Sequence, residues 1–345
     1  MAYERQARRE ARRRELARRR RRTLAGLSLA LVAAAVVAAI LLSSGGGSSS
    51  TSTTSARSGG SSGGSAGKSS GGANGTGGRA GAGAGAAGST GAHRSTAQAL
   101  GPATGVPGTE SAPILMYHVI NPPPAGAPFP GLYVSSSEFA AQMQALAGAG
   151  YHAVTLDQLW AYWRHGARLP AGKPVVITFD NGYQSQYTNA LPVLRRLGWV
   201  ADENLQLSGL PPSQGGLSQA QVRGLVADGW ELDTQGYSHA ELIALSPSEL
   251  AFQVAAARRT VQQRYGVPAN WFCYPSGDYN PAVVAEVRAA GYTGSTTVVP
   301  GWATPSSEPY RLPRLRVLGG TTPEALLSEI SAIKDDPAPP ESYSG

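Results

Sequence analysis

The fold is decided by a strand, a loop and a helix that begin at VVITFDNGY (175–183). The apolar run 175–179 has the length and composition of a strand buried in a parallel sheet. Apolar residues then recur at helical spacing, at Tyr187, Leu191, Leu194 and Leu197. Asn181-Gly182 between apolar runs is also a signal for a β-hairpin, but a hairpin would be followed by alternating spacing. We therefore predict a β-loop-α unit here.

The same pattern extends over the C-terminal part of the chain. From Pro113 onward, short β-rich runs alternate with helices, at 114–118, 154–156, 175–179, 230–232, 271–274 and 315–318. Helix starts are marked by N-cap residues, at Ser218, Ser246, Asn280 and Thr322. Such alternation is typical of a parallel sheet. About seven βα units fit in the ~230 residues, which is a barrel-sized count. The predicted fold class is α/β, a (β/α) barrel.

The first 22 residues account for the basic charge of the chain. They hold 11 of its 29 basic and 3 of its 22 acidic side chains, which leaves 18 against 19 elsewhere. Residues 24–42 are 19 residues without a charge, long enough as a helix to span the ~30 Å hydrocarbon core of a bilayer. Arginines on the cytoplasmic side of such a helix follow the positive-inside rule. We predict a basic cytoplasmic tail (1–22) and a transmembrane signal-anchor helix (23–43) in the cell membrane.

Two alternatives concern this segment. A cleaved signal peptide would have an apolar core of only ~7–15 residues and a small-x-small cleavage site, whereas Ser43-Ser44-Gly45 follows here. Nucleic-acid binding is disfavoured because the Arg-rich arm runs directly into the apolar segment. A retained single-pass anchor with an extracytoplasmic C-terminal domain is favoured, and the sequence does not identify protein partners.

Residues 44–105 are dominated by Gly, Ser, Ala and Thr and lack periodic apolar positions. We predict a disordered linker, which would hold the domain roughly 40–50 Å from the membrane on average. The globular domain is then 106–345, with its core at about 173–335. Cys273 is the single cysteine, which excludes an intramolecular disulfide and a cysteine-cluster metal site.

Polar residues follow four of the predicted strands, where a (β/α) barrel places its reacting groups. The four clusters are LMYH (115–118), TFDNGY (178–183), ELDTQGYSH (231–239) and YPSG (274–277). Their positions predict one site at the carboxyl edge of the sheet.

The second cluster resembles T-F-D-D-G-Y, a motif of the polysaccharide deacetylases of carbohydrate esterase family four, the NodB-homology domain. The family follows it with A-L-P-V-L, which this chain has at 190–194. The third cluster is similar to G-W-E-I-G-S-H-x-x-x-H, with Gln235 at the first histidine and His239 at the second. The fourth is similar to R-x-P-[YF]-G, with Cys273 at the arginine. The resemblance covers roughly residues 110–335 and implies a distorted seven-stranded NodB-like deacetylase barrel.

The resemblance implies hydrolysis of the acetyl amide bond, a C–N bond other than a peptide bond, in an N-acetylated polysaccharide or peptidoglycan. A divalent metal, zinc by resemblance, would polarise the carbonyl and activate a water, and Asp180 would take the proton of that water. The metal positions are Asn181, Gln235 and His239, where the family has Asp, His and His. Two neutral amides replace a carboxylate and an imidazole, so we expect weak metal binding.

The remaining roles are also implied by the resemblance. His118, in the L-x-Y-H pattern of members with a permuted motif order, would be the general acid, and the backbone amide of Tyr183 would donate to the oxyanion. Four further residues are predicted to bind substrate: Tyr274, Pro275, Gly277 and Arg314. A replacement metal ligand is hypothesised at Asp233, two residues from Gln235 on a strand and therefore on the same face.

Simpler interpretations stay open for several of these residues. His118 alone is typical of a core histidine, His239 of a loop histidine, and 275–277 of a plain turn. Residues 202–204 are Asp, Glu and Asn where the family usually has an apolar strand, so they either face the cavity or reshape that strand. Two functions follow: a membrane-anchored deacetylase of envelope glycans, or a catalytically inactive carbohydrate-binding pseudoenzyme of the same fold. A purely structural anchor is disfavoured by the retention of Asp180.

Overall fold

The computed structural model describes residues 101–127, 129–208, 210 and 215–344. The predicted tail, transmembrane helix and nearly all of the linker lie outside these residues. No helix within the described ranges combines the length and apolarity needed to cross a bilayer. The contacts of the domain begin before residue 106, because the amides of Gly101 and Thr104 donate to the carbonyls of Arg168 and Gly166.

One curled sheet organises the part of the chain that the structure describes. Its strands are β1 (Ala112–Tyr117), β2 (Tyr151–Val154), β3 (Lys173–Asn181), β4 (Asp202–Leu205), β5 (Glu231–Thr234), β6 (Trp271–Cys273), β7 (Gly294–Thr296), β8 (Trp302–Ala303) and β9 (Leu315–Arg316). The order is β7-β6-β5-β4-β3-β1-β8, with β2 beside β3 and β9 beside β1. All pairs are parallel except β1 with β8. The predicted parallel α/β architecture is confirmed, but the sheet is a curled half-barrel of nine strands in the described residues and not the expected seven-stranded barrel.

Helices cover the outer face of the sheet. They are α1 (Ser136–Gly148), α2 (Leu156–His165), α3 (Leu191–Leu197), α4 (Gln219–Ala227), α5 (Pro247–Ala251), α6 (Ala257–Tyr265), α7 (Pro281–Ala289) and α8 (Pro323–Ala332). Capping boxes start α4 at Ser218 and α5 at Ser246, and the side chains of Asn280 and Thr322 cap α7 and α8. All four predicted helix starts are confirmed. Each such cap stabilises its helix by about 0.5–2 kcal/mol.

One strand prediction needs correction, and one segment absent from the predicted strands forms a strand. The run 154–156 is not a strand, because β2 ends at Val154 and Thr155 caps α2. The segment 202–205, which has no apolar strand pattern, forms β4 at the centre of the sheet. Its residues are fully paired between β3 and β5 and buried on both faces, so tertiary pairing overrides their low strand propensity.

The strands separate an apolar outer layer from a polar interior. On β3, Phe179 points to the helices and stacks on Trp230, with ring centroids 5.0 Å apart. Its neighbour Asp180 therefore points to the other face. That inner face holds a set of buried polar side chains: Thr178, Asp180, Asp202, Asn204, Asp233 and Arg314. Buried polar side chains need hydrogen-bond partners, and here they are partners for one another. The candidate site is therefore expected on this inner face.

Candidate active site

Asp180 lies near the carboxyl end of β3 and is 1% exposed. Its Oδ1 accepts from Arg314 Nη1 at 2.8 Å and from Asn204 Nδ2 at 2.8 Å, and its Oδ2 accepts from Arg314 Nη2 at 2.9 Å. Burial alone would raise the pKa of this carboxyl. The charge and hydrogen bonds of Arg314 outweigh burial and lower the pKa to about 2. Asp180 is therefore an ionised carboxylate at neutral pH.

Arg314 does not face substrate, which corrects the prediction for this residue. The side chain is 0% exposed and also donates to the Thr297 carbonyl, Thr178 Oγ1 and Cys273 Sγ. All five of its N–H groups are thereby used. Its role is to hold Asp180 ionised and in one orientation. No local sequence pattern indicates this pairing, because the two residues are 134 positions apart.

Cys273 completes the surroundings of Asp180. Its thiol lies 3.5 Å from Asp180 Oδ2, and burial raises its pKa to about 12. The side chain therefore remains a neutral thiol and is not a nucleophile at neutral pH.

His118 follows β1, and its Nε2 lies 4.0 Å from Asp180 Oδ2. Burial is the main cause that lowers its pKa to about 4; Asp180 opposes the shift, and Arg316 and Arg314 add to it. The imidazole is therefore neutral at pH 7. Its Nδ1 is buried and has no hydrogen-bond partner within the described ranges. Because Nδ1 is buried, Nε2 is the ring nitrogen that a water in the site can reach.

Gln186 fixes the strand ends that carry these two groups. Its Nε2 donates at 2.9 Å to the backbone carbonyls of both His118 and Asp180. The residue is fully buried in a π-helical turn that precedes α3. Sequence reasoning missed it; the π turn, often found at functional sites, is visible only in the structure.

The loops around Asp180 contain unusual backbone conformations. Asn181, His239 and Ser276 have φ values of 80°, 53° and 59°, and Gly182 has 87°. A Cβ on Gly182 would lie 2.7 Å from Leu205 Cδ1, so this position requires glycine. Among the described residues only one other non-glycine residue, Ala269, has positive φ. Backbone strain thus concentrates in three of the four predicted clusters.

The three predicted metal positions follow strands near one edge of the sheet. Asn181 ends β3, Gln235 follows β5 with its amide bonded to the Leu205 carbonyl at 3.0 Å, and Asn181 pairs with Leu205 in register. Burial lowers the pKa of His239, which lies in the electrostatic field of Asp180 and Asp278. Gln235 Oε1 is buried without a partner among the described residues. One imidazole and two neutral amides do not match the donors of a zinc site.

Asp233 does not replace the missing ligands, so that hypothesis is wrong. Its Oδ1 accepts from the Trp271 amide at 2.8 Å. Its carboxylate groups instead with Asp202 and Glu231, with one oxygen of each within 4.8 Å of the others. Burial and the neighbouring acids raise the pKa of Asp202 and Asp233 well above the usual range, and that of Glu231 to about 8.

The predicted substrate-binding turn is mostly buried. Tyr274 is 1% exposed, its hydroxyl donates to the Tyr310 carbonyl, and it accepts from Ser295. Pro275 and Gly277 are also buried, whereas Ser276 between them is exposed. The side chains at 274, 275 and 277 therefore support the site wall, which corrects their predicted contact with substrate. Ser276 is the residue that the turn presents.

The backbone role of Tyr183 stays a prediction, and the structure describes the surroundings of this residue. Its side chain is 9% exposed, and burial raises the pKa of its phenol to about 12. The amide of the next residue, Gln184, donates to the Gly215 carbonyl, and the amide of Gln186 donates to the carbonyl of Tyr183. Within the described residues, the Tyr183 amide donates to no backbone carbonyl. This N–H is free to donate to a negative oxygen in the site.

Comparison with known proteins identifies the type of domain. Residues 168–295 match the family model for polysaccharide deacetylase. YxkH of Bacillus subtilis, named as a polysaccharide deacetylase, is 28% identical over 222 residues, which cover 64% of this chain and 77% of that protein. A poly-beta-1,6-N-acetyl-D-glucosamine N-deacetylase of Escherichia coli is 41% identical over 68 residues, 20% of this chain and 10% of that protein.

Solved structures agree with this match. The deacetylase PplD of Streptococcus pyogenes, in complex with acetate, superimposes with a TM-score of 0.59 at 25% identity and covers 64% of this chain and 99% of that one. A polysaccharide deacetylase from Bacillus cereus gives a TM-score of 0.57 at 25% identity, with 64% and 69% covered. The resemblance indicated by the sequence is confirmed.

Proposed function

We propose that this chain, whose C-terminal domain is of the polysaccharide deacetylase type, hydrolyses the acetyl amide bonds of N-acetylated envelope glycans. The observation that carries the proposal is Asp180, kept as a buried carboxylate 4.0 Å from His118 Nε2. Apolar residues 24–42 and the linker after them support a further part of the proposal, namely that the domain is tethered outside the cell membrane.

His118 suits the proton transfer better than Asp180 does. A carboxylate with a pKa of about 2, engaged by Arg314 and Asn204, is a poor base at neutral pH. Neutral His118 can accept the proton of an attacking water at Nε2, because Nδ1 is buried out of reach of water. The resulting imidazolium is stabilised by the charge of Asp180, whose Oδ2 lies 4.0 Å from Nε2. The same Nε2–H then protonates the leaving nitrogen as the amide bond breaks, which releases acetate and a free amine.

The oxyanion of the tetrahedral intermediate needs a donor. The Tyr183 amide supplies one from a loop whose conformation is fixed by Gly182. One such donor accounts for about 2.7–4 kcal/mol of transition-state stabilisation in other hydrolases. Because the residues at 181, 235 and 239 do not form a zinc donor set, no step is assigned to zinc.

The proposal is tested by acetate release. The full chain is incubated with N-acetylglucosamine oligomers and with peptidoglycan, in zinc, in cobalt or in chelator, beside His118→Gln. Release that depends on His118 is the expected result. Oligosaccharide binding without release above His118→Gln would instead favour the carbohydrate-binding pseudoenzyme. That second function is supported by Arg314, which occupies both oxygens of Asp180.

The pH profile distinguishes the proton acceptor. Because His118 must be neutral to accept a proton, and burial lowers its pKa to about 4, kcat/KM is expected to rise through about pH 4 and then level. If Asp180 were the acceptor, the rise would lie near pH 2. Initial rates between pH 3 and pH 8 measure this limb, and a midpoint near pH 6.5 would show that His118 is not desolvated as described.

A further inference from the structure

A second group of polar side chains lies on the inner face of the sheet, on the two strands that follow the one that carries Asp180. Asp202 on β4 and Asp233 on β5 are 0% exposed, and Glu231 begins β5 beside Asp202. One carboxylate oxygen from each lies within 4.8 Å of the other two. Nothing in the proposed hydrolysis uses these three residues, so their burial needs another explanation.

One oxygen of each carboxyl group accepts a backbone hydrogen bond and has a structural role. Asp202 Oδ1 and Glu231 Oε2 accept the first amides of α2, from Leu156 and Asp157, at 2.9 Å. Asp233 Oδ1 accepts the Trp271 amide at 2.8 Å. These bonds fix α2 and β6 against the sheet and orient all three carboxylates.

The other oxygen of each carboxyl group accepts no hydrogen bond from an N–H donor among the described residues. Asp202 Oδ2, Glu231 Oε1 and Asp233 Oδ2 are buried, and the carboxyl groups of Asp202 and Glu231 are close enough to share a proton. The strongest electrostatic neighbours of Asp233 are Glu231, Asp202 and Asp157, all of them acidic. Buried carboxyl groups this close together hold protons, as their raised pKa values indicate, unless a cation takes the place of those protons.

Asn204 provides an independent indication of a ligand. It is 0% exposed and pairs in register with Asp233 on one side and with Asp180 on the other. Its Nδ2 is committed to Asp180, and its Oδ1 is buried with no partner within the described ranges. This amide oxygen lies on the same face of β4 as Asp202, so a fourth unpaired oxygen belongs to the same interior.

An opening exists beside the group. A cavity of about 220 Å³ at the amino ends of β5 and β6 is lined by Asp157, Glu231, Pro268 and Asn270, among others. It lies at the strand ends opposite to those that carry Asp180 and His239. A small hydrated ion can therefore approach Glu231 without passing through the candidate active site.

We propose that Asp202, Glu231 and Asp233 bind one divalent cation, with Asn204 Oδ1 as a further oxygen ligand. An all-oxygen set of carboxylates and an amide is the kind that Ca²⁺, Mg²⁺ and Mn²⁺ prefer, in contrast to zinc. The cation balances the charge of the deprotonated acids and links β4 to β5. It thereby stiffens the interior that contacts Asp180 through the side chain of Asn204. This site uses none of the residues at 181, 235 and 239 and does not depend on the proposed hydrolysis.

The test uses Mn²⁺ as the probe on the full chain after removal of metal with chelator. Electron paramagnetic resonance and thermal unfolding are expected to show one bound Mn²⁺ per chain and a higher Tm. Asp202→Asn and Asp233→Asn, which keep an oxygen for the amides of Leu156 and Trp271, should each weaken binding at least about 10-fold. His239→Gln is the matched control and should change the affinity less than about threefold.

Two results would overturn the proposal. One is an absence of stoichiometric Mn²⁺ binding to the unmodified chain, in which case the acids share protons instead. The other is binding that is lost in His239→Gln and retained in both aspartate variants, which would place the ion at the opposite edge of the sheet. Because the first result needs no variant, a failure of Asp202→Asn to fold does not affect it.

Discussion

Asp180→Asn is expected to lower kcat/KM for acetate release by about 10²–10⁴-fold, the range for loss of one general acid–base element. The substitution keeps the shape of the side chain but removes the negative charge beside His118 Nε2. The imidazolium that forms during proton transfer then lacks its stabilising partner. Steady-state kinetics on N-acetylglucosamine oligomers measure the effect, and KM should change much less than kcat.

A surface carboxylate provides the control for this variant. Asp228 pairs with Arg195 at the surface, away from the strand ends that carry the site. Asp228→Asn removes the same charge and should leave kcat/KM within about twofold, because exposed ion pairs contribute little. Equal losses in Asp180→Asn and Asp228→Asn, or no loss in either, would contradict the assigned role of Asp180.

Arg314→Met is expected to destabilise the fold by about 3–5 kcal/mol at pH 7, the usual cost of leaving a buried charge unpaired. Asp180 would keep its burial and lose the guanidinium that lowers its pKa. Urea denaturation measures the difference in the free energy of unfolding. In Asp180→Asn with Arg314→Met both charges are absent, so much of the stability should return.

The pH dependence of stability should change sign in the same variant. With a folded pKa of about 2, Asp180 contributes stability that is present above its unfolded pKa of about 4 and lost as pH falls toward 2. In Arg314→Met, burial raises this pKa above the unfolded value, so stability would fall as pH rises above about 4. Arg195→Met, at the surface pair, should cost less than about 1 kcal/mol and keep the original slope. An unchanged slope in Arg314→Met would mean that Arg314 does not set the charge state of Asp180.

The proposed cation site and the departures at the metal positions have a common feature. Asn181 and Gln235 remove a negative charge and a metal-binding nitrogen from the carboxyl edge, whereas Asp202 and Asp233 add buried carboxyl groups with raised pKa values elsewhere in the interior. If both proposals hold, the interior of this domain binds a cation where it supports Asp180 rather than where the acetyl group reacts. Chelation would then lower the Tm and leave the initial rate of acetate release nearly unchanged.

Local sequence patterns were enough to predict the features that depend on residues close together along the chain. Apolar spacing and capping residues act within one or two turns, so the strand at 175–179 and the starts of α4, α5, α7 and α8 were correctly predicted. Asp180 could be selected because it follows a buried strand within a distinctive run. The assignment of a tail, a transmembrane helix and a linker to residues 1–100 rests on composition alone and stays a prediction.

The tertiary structure alone decided which distant side chains meet. Arg314 lies 134 positions from Asp180, and no periodicity connects them. The polar segment 202–205 becomes a central strand only because β3 and β5 supply its hydrogen bonds. The register of those pairs brings Asn204 to Asp180 and Asp202 to Glu231. Register is set by packing of the whole sheet, and a one-residue slip would turn each of these side chains to the opposite face.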